Sequence, residues 1–391
     1  MKLKKVTTKV INSAILLLLP FTTQTFASEQ PTPSINQTVQ QATSEDSIRI
    51  ILFTPQDFEP PMGHKEQMRQ IADYTENFFE KWMNYWGYPT SNLKLFNRDA
   101  DGNPVLLYVK GQYTKASGAY EVVGDINNEA IPKAAEQYNI PLESGNVWWT
   151  ISYPGPDARA FRGGGSAPYG GKSHANFIPA DGPIYLNQSL NEGHAVKIKM
   201  KGLIHELTHA LGIGHIGPRL EQDLGNSLMG PTNKAFANKY DPYETRVHLS
   251  KLTAALLWKH PFFTKQTQDR LIDPAVSVRN FRITKQGGYY YATGKLVSDY
   301  PAHTATLLES SPEGGTNYWR RGYTGRIDSN GNFTIRLAGI TPATGQLLLN
   351  FAFNNGRIKG NTENVGINWG IEIPFYKTGR NSIYFDTSNV Y

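Results

Sequence analysis

The stretch "AVKIKMKGLIHELTHALGIGH" (residues 195–215) combines a helical pattern of apolar residues with three histidines. The apolar residues recur at the spacing of one helix face, so the stretch as far as Gly212 predicts an amphipathic helix. They are Val196, Met200, Leu203, Ile204, Leu207 and Leu211. Because residues four apart on a helix lie one turn above each other, His205 and His209 can point at a single metal ion. Glycine adopts a positive φ cheaply, so Gly212 can end the helix and turn the chain back toward His215.

These histidines, together with Glu206, suit a catalytic zinc site. Three neutral imidazole nitrogens and an open fourth position are typical of catalytic zinc, whereas structural sites are closed by four protein ligands. Glu206 follows His205 on the polar side of the predicted helix, where a carboxylate can take a proton from water and pass it to a leaving amine. If the ion were only structural, the site would not need Glu206 as a proton-transfer group. The sequence therefore predicts one Zn²⁺ held by His205, His209 and His215, and amide hydrolysis with Glu206 as general base.

The motif HExxHxxGxxH in the quoted stretch resembles the signature of the metzincin zinc endopeptidases. A second mark is "NSLMGP" (residues 226–231), which is similar to the methionine turn of that family. The resemblance implies that Met229 lies beneath the metal ligands as an apolar floor, and Pro231 makes the turn most like that of the matrixins. It covers roughly residues 47–261 and implies a twisted mixed sheet that carries the active-site helix.

The same resemblance implies that an edge strand binds an extended substrate by β-augmentation. The segment "GPIYLN" is the candidate, because it reads as a short strand after a glycine-rich stretch. Its residues are Gly182, Pro183, Ile184, Tyr185, Leu186 and Asn187. The glycine-rich stretch itself, residues 153–177, is predicted to be an irregular surface connection.

The sequence pattern changes at about Leu271, from mixed helix and strand patterns to short β-rich runs that alternate with turn residues. The predicted fold class is α+β, with a metzincin-like zinc protease domain over residues 47–265 and a separate antiparallel β-sandwich domain over residues 271–391. Every catalytic candidate precedes the second region, so a chain ending near Thr267 is expected to keep cleaving short peptides. The sandwich is expected to bind a surface glycan or a protein ligand, or merely to stabilise the first domain.

The N-terminus predicts export from the cytoplasm. Four lysines precede an apolar run over residues 10–21, and small and polar residues follow as far as Ala27, which is the pattern of a signal peptide (residues 1–27) cleaved after Ala27. The run is shorter than the roughly 20 residues that span a bilayer, so no membrane anchor is expected. Residues 28–46 have the composition of a disordered leader. Loss of the four lysines lowers the formal net charge from +6 to +2, which removes the main argument for a nucleic-acid partner.

One turn has part of a calcium-loop pattern. Asn97, Asp99, Asp101 and Gly102 stand at the required spacing, but Tyr108 occupies the twelfth position, where a bidentate acid is expected. A plain turn is therefore the favoured interpretation, and an additional Ca²⁺ stays open.

The function that the sequence predicts is a secreted zinc-dependent endopeptidase acting on a protein or peptide substrate. One alternative is a secreted binding protein or adhesin with an inactive metal domain, against which the intact Glu206 argues. Another is a zinc hydrolase of cell-wall peptide crosslinks, because a zinc site alone does not distinguish one amide substrate from another.

Overall fold

The structure is a computed structural model that describes residues 47–120, 126–143, 145–153, 161–180, 182–310, 317–340, 342–361, 366–380 and 382–390. The predicted signal peptide and leader lie outside the described residues. None of the helices formed by the described residues has the length and apolar character needed to span a lipid bilayer. The chain is mixed α/β in residues 47–270, called the first part below, and antiparallel β in residues 271–390, called the second part.

The first part contains a five-stranded sheet with the order β2-β1-β3-β5-β4. Its strands are β1 (Arg49–Thr54), β2 (Leu106–Lys110), β3 (Val147–Ser152), β4 (Phe161–Ser166) and β5 (Gly170–Asn176). Strands β1, β2, β3 and β5 are parallel, and β4 runs antiparallel to β5. Every residue of β1 and β3 is buried, as expected for the central strands of a parallel sheet covered on both faces.

Seven α-helices are described in the chain. They are α1 (His64–Tyr85), α2 (Asn127–Gln137), α3 (Gly193–Lys197), α4 (Met200–Ala210), α5 (Asn233–Lys239), α6 (Lys251–Leu257) and α7 (Pro261–Thr264). The predicted single helix from residue 195 is wrong, because Lys199 has φ 57° and separates α3 from α4. Val196, which the single-helix pattern placed on the apolar face, is exposed as a result.

The predicted edge strand at residues 182–187 is also wrong. This segment consists of turn and irregular backbone and pairs with none of the described strands. Its polar backbone groups are bound by α1 instead, since the N–H of Ile184 donates to Oε1 of Gln70 (2.9 Å) and Nδ2 of Asn77 donates to the carbonyl of Leu186 (3.0 Å).

The antiparallel edge strand is β4, with the sequence "FRGGGS", inside the stretch predicted to be irregular. Glycine is depleted in strands, so this sequence does not look like one. The glycines are required because β4 packs directly against the backbone of α4. A Cβ at Gly163 would lie 2.4 Å from the carbonyl oxygen of Glu206, and one at Gly165 would lie 2.4 Å from that of Ala210.

Two short strands, β6 (Asn226–Ser227) and β7 (Val247–His248), follow the five-stranded sheet along the chain and form a parallel pair. The second part contains two antiparallel sheets. One has the order β11-β10-β13-β15-β16, with β14 paired to β13, and the other has the order β12-β9-β8. Their strands are β8 (Ser277–Gln286), β9 (Tyr289–Val297), β10 (Ala302–Ser310), β11 (Gly322–Arg326), β12 (Asn332–Leu337), β13 (Thr344–Phe353), β14 (Ile358–Lys359), β15 (Ile371–Gly379) and β16 (Ser382–Phe385). Both sheets contribute to one hydrophobic cluster, in which Phe333 of β12 lies 5.5 Å from Phe351 of β13 between ring centroids.

The two parts share a hydrophobic core. The largest cluster contains residues of α1, α4 and α6 together with five apolar side chains from the second part: Leu308, Leu348, Ala352, Ile358 and Ile367. Strand β11 lies so close to α6 that a Cβ at Gly322 would be 2.2 Å from Cδ2 of Leu252. The second part therefore has a hydrophobic cluster of its own and also contributes side chains to the core of the first part.

Candidate metal centre

The structure brings His205, His209 and His215 together around one point. The Nε2 atom of His209 lies 3.1 Å from Nε2 of His205 and 3.1 Å from Nε2 of His215. Zinc–nitrogen bonds of about 2.0–2.1 Å at tetrahedral angles would place two ligand nitrogens about 3.3 Å apart. Among the described residues, this is the one cluster of three or more histidine or acidic side chains close enough to share an ion.

Backbone hydrogen bonds orient two of the rings. Nδ1 of His205 lies 2.8 Å from the carbonyl oxygen of Leu228, and Nδ1 of His209 lies 2.7 Å from that of Ile213. A carbonyl oxygen only accepts, so Nδ1 carries the proton in both rings and Nε2 presents a lone pair to the centre. This is the outer-shell arrangement found around metal-binding histidines, and it fits a metal at the shared point.

Burial keeps the three imidazoles neutral. It is the main cause that lowers the pKa of each ring, and it lowers the pKa of His215 to about 4, with further contributions from His209 and Arg320. Neutral imidazole is the form that binds metal, so the site does not have to lose protons near neutral pH before an ion enters.

Glu206 is 9% exposed and lies between two of the histidines in the sequence of α4. In the metal-free protein, burial raises the pKa of this carboxyl to about 7. A carboxyl with a pKa near the working pH can both accept and return a proton, which is the requirement for a general base that later acts as an acid.

The chain reverses at Gly212 and returns to the site as the sequence predicts. Gly212 has φ 83°, and a Cβ there would lie 2.1 Å from the backbone nitrogen of Ala167, so only glycine fits. Met229 is buried, and its carbonyl accepts a hydrogen bond from the N–H of Ile216, next to the third histidine. The turn therefore adjoins the histidine segment, while the role of Met229 as a floor beneath a metal stays a prediction.

A buried lysine that sequence analysis missed ties α4 to the methionine turn. Nζ of Lys201 and Nδ2 of Asn226 both donate to the carbonyl oxygen of Pro231, the latter over 2.9 Å. Burial lowers the pKa of Lys201 to about 7. These bonds hold the turn against the first turn of α4.

The candidate calcium turn is closed by its own hydrogen bonds. The carboxylate of Asp99 accepts from the backbone N–H groups of Asp101 (3.0 Å) and Asn103 (2.8 Å), as in an Asx turn. No ligand cluster for a cation forms there among the described residues. These hydrogen bonds explain the Asp and Asn residues of the segment as those of an ordinary turn.

Residues of the second part also reach the histidines, and sequence analysis missed them. The ring of Tyr318 lies 3.8 Å from the ring of His215 between centroids. A cleft of about 300 Å³ at His209 and His215 is lined by glycines of β4 from the first part of the chain and by Arg320, Asn368 and Trp369 from the second part. Nothing in the local sequence identifies these residues, because ordinary surface positions carry the same residue types.

No protein-family model matches the chain, and no curated protein matches its sequence. Solved structures of OgpA from Akkermansia muciniphila are similar to it. Wild-type OgpA aligns with a TM-score of 0.66 at 18% identity over 87% of this chain and 94% of that one. Catalytically inactive OgpA in complex with an O-glycopeptide substrate, glycodrosocin, aligns with a TM-score of 0.64 at 17% identity over 87% of this chain and 95% of that one. This coverage is more than the first part alone could supply, so the chain shares the fold of OgpA across both its mixed α/β part and its antiparallel β part.

Proposed function

We propose that the protein is a secreted zinc-dependent endopeptidase of metzincin type. The observation that carries the proposal is the convergence of three Nε2 atoms, two of them oriented by Nδ1–H bonds to carbonyls, next to a buried carboxyl group. His205, His209 and His215 would hold the ion. Zinc bound by three neutral nitrogens supplies a Lewis acid that polarises a carbonyl group and makes water more acidic.

Glu206 performs the proton transfers of the reaction. Its carboxylate takes a proton from the attacking water, whose oxygen bonds to the carbonyl carbon of the substrate. The same proton then passes to the amide nitrogen as the C–N bond breaks, so the products are a carboxylic acid and an amine. The pKa of Glu206, which burial raises in the metal-free protein, is compatible with this double role.

Strand β4 is the proposed site of substrate pairing, in place of residues 182–187. It is at the end of the sheet, so one side of its backbone is not paired within the sheet. Its packing against α4 brings that edge beside the histidines, and Gly164, Gly165 and Ser166 line the cleft. An extended peptide can add to such an edge through main-chain hydrogen bonds.

A glycosylated peptide is a specific candidate substrate. OgpA has been solved with an O-glycopeptide, and the cleft beside the histidines of this chain has groups suited to a sugar. Trp369 is 56% exposed and offers an aromatic face, while Asn368 and Arg320 carry hydrogen-bonding groups. The substrate class is therefore proposed as a protein or peptide that bears a glycan near the cleaved bond.

Comparison of wild type with Glu206→Gln tests this function. The substitution keeps the shape of the side chain and all three histidines but removes the proton carrier. Zinc content should stay near one ion per chain, while turnover of a peptide library with and without O-glycans should fall by about 10²–10⁴-fold. Near-normal turnover by Glu206→Gln would contradict the mechanism. Cleavage of cell-wall crosslinks alone, with no peptide turned over, would favour the alternative hydrolase.

A further inference from the structure

The third histidine is held differently from the other two. His205 and His209 are on α4, whose backbone is rigid, and their Nδ1 atoms donate to carbonyls. His215 lies beyond the helix in residues 211–219, which form neither helix nor strand. Within the described part of the chain, Nδ1 of His215 makes no comparable hydrogen bond. Packing therefore contributes more to its orientation than to that of the other two rings.

The segment at residues 318–320, in the second part of the chain, provides that packing from one side. The ring of Tyr318 covers the ring of His215 at 3.8 Å with an angle of 33° between their planes, and it lies 6.2 Å from the ring of His205. The N–H of Gly217 donates to the carbonyl oxygen of Arg320 over 2.6 Å. A Cβ at Gly217 would lie 2.8 Å from the carbonyl oxygen of Tyr318, so the two backbones are in direct contact.

Asn368 approaches the same histidine segment from another element of the second part. A Cβ at Gly214 would lie 3.0 Å from Nδ2 of Asn368. The two contacts are coupled, because Nη1 of Arg320 donates to Oδ1 of Asn368 over 2.7 Å. His215 is thus flanked by Gly214 and Gly217, and each glycine allows the second part to reach the backbone.

The segment that carries Tyr318 is itself anchored on both sides. Trp319 stacks on Phe236 of α5 with 6.3 Å between ring centroids, and Nζ of Lys239 lies 4.4 Å above the Trp319 ring. Strand β11 follows and packs on α6 through Gly322. These contacts limit how far the Tyr318 ring can move away from His215.

We propose that the second part of the chain positions the third metal ligand, and that Tyr318 is the positioning residue that holds the His215 ring. The inference rests on the proposed metal site. It means that the antiparallel β region is a component of the metal centre and does not serve only to bind a glycan or a partner. Residues that orient metal ligands typically contribute 10–100-fold to metal affinity.

The test is zinc affinity of the full-length protein, measured by equilibrium competition with a chromophoric chelator. Tyr318→Ala should weaken zinc binding by about 10–100-fold, because the His215 ring gains rotational freedom. Tyr318→Phe keeps the ring and should restore wild-type affinity. Tyr376→Ala is the matched control, since Tyr376 is also partly exposed in the second part and contacts another ring, that of Tyr384. It should bind zinc as wild type does.

A second pair of variants tests the backbone contact. Gly217→Ala forces the histidine segment away from Tyr318 and should also weaken zinc binding, whereas Gly379→Ala has open space around its Cβ and should not. The melting temperature of each metal-free variant shows whether it is folded, and if Gly217→Ala is not, the Tyr318 variants decide. Wild-type affinity in Tyr318→Ala, or an equal loss in Tyr376→Ala, would overturn the inference. A wild-type protein that binds no zinc would instead overturn the proposed function.

Discussion

Acid should destabilise the protein through histidines that are buried without charge. His260 is fully buried and accepts the Phe262 N–H at Nδ1 as the cap of α7, and no described residue is a partner for its Nε2. His303 is also buried, with its ring 5.0 Å from that of Trp258, and its Nε2 likewise has no partner among the described residues. Burial lowers the pKa of each to about 3.

The sign and size of the effect follow from the two protonation states. An unfolded histidine has a pKa of about 6.5, so below that pH the unfolded chain binds a proton that the folded protein excludes. Stability is therefore fully present above pH 6.5 and declines as the pH falls toward 3. Each pH unit costs about 1.4 kcal/mol per histidine, so His260 alone should cost about 2 kcal/mol at pH 5. At pH 5 the two histidines together should lower the free energy of unfolding by about 4 kcal/mol. This is a large part of the 5–15 kcal/mol that is typical of a folded protein.

The assay is urea unfolding at several pH values between 7 and 5, on wild type and on His260→Asn. Asparagine can still cap α7 but does not titrate in this range. The variant can be less stable at pH 7 because it fills less space. Its further loss on acidification should nevertheless be about 2 kcal/mol smaller than that of wild type. Taking this difference cancels the titration of all other groups, including Glu206 and the three histidines of the candidate metal centre. Equal losses in the two proteins would refute the reasoning.

Two further predictions concern the second part of the chain. A chain ending near Thr267 should fail to fold stably and to bind zinc, contrary to the sequence-based expectation, because it loses four leucine and isoleucine side chains of the shared core, each worth about 2 kcal/mol, together with Ala352. Melting temperature and zinc content measure this, and a stable, zinc-loaded fragment would show that the shared core is dispensable. Trp369→Ala should raise KM for an O-glycosylated peptide by about 2–10-fold and leave KM for the bare peptide unchanged, since an aromatic contact contributes about 0.5–1.5 kcal/mol. An equal rise for both peptides would remove the argument for a sugar in the cleft.

The sequence determined the features that depend on residues close together in the chain. The spacing of His205 and His209 on a helix fixes their relative direction, and Gly212 predicts the reversal that brings His215 back. The continuous apolar runs "RIILFT" and "VWWTIS" predict the buried strands β1 and β3. The apolar residues at helical spacing in "HKEQMRQIADYTENFFEKWMNY" predict α1, which buries one face.

The errors have a common physical origin in contacts between distant segments. The break at Lys199 has apolar residues at helical spacing on both sides, so the sequence pattern predicts one continuous helix. The glycines of β4 look like a loop until α4 is seen lying against them, and "GPIYLN" looks like a strand until α1 is seen binding its backbone. In each case a neighbour far along the chain overrides the local preference.

Only the tertiary structure shows that the second part of the chain contacts the histidines of the candidate metal centre. Tyr318 follows His215 by about a hundred residues, and a tyrosine beside a tryptophan carries no local sign of where it packs. Its place over the histidine ring follows from how β11 lies on α6 and how Trp319 stacks on α5. Packing between elements depends on the shapes of both surfaces, and a one-dimensional pattern records the composition of each surface but not which two surfaces meet.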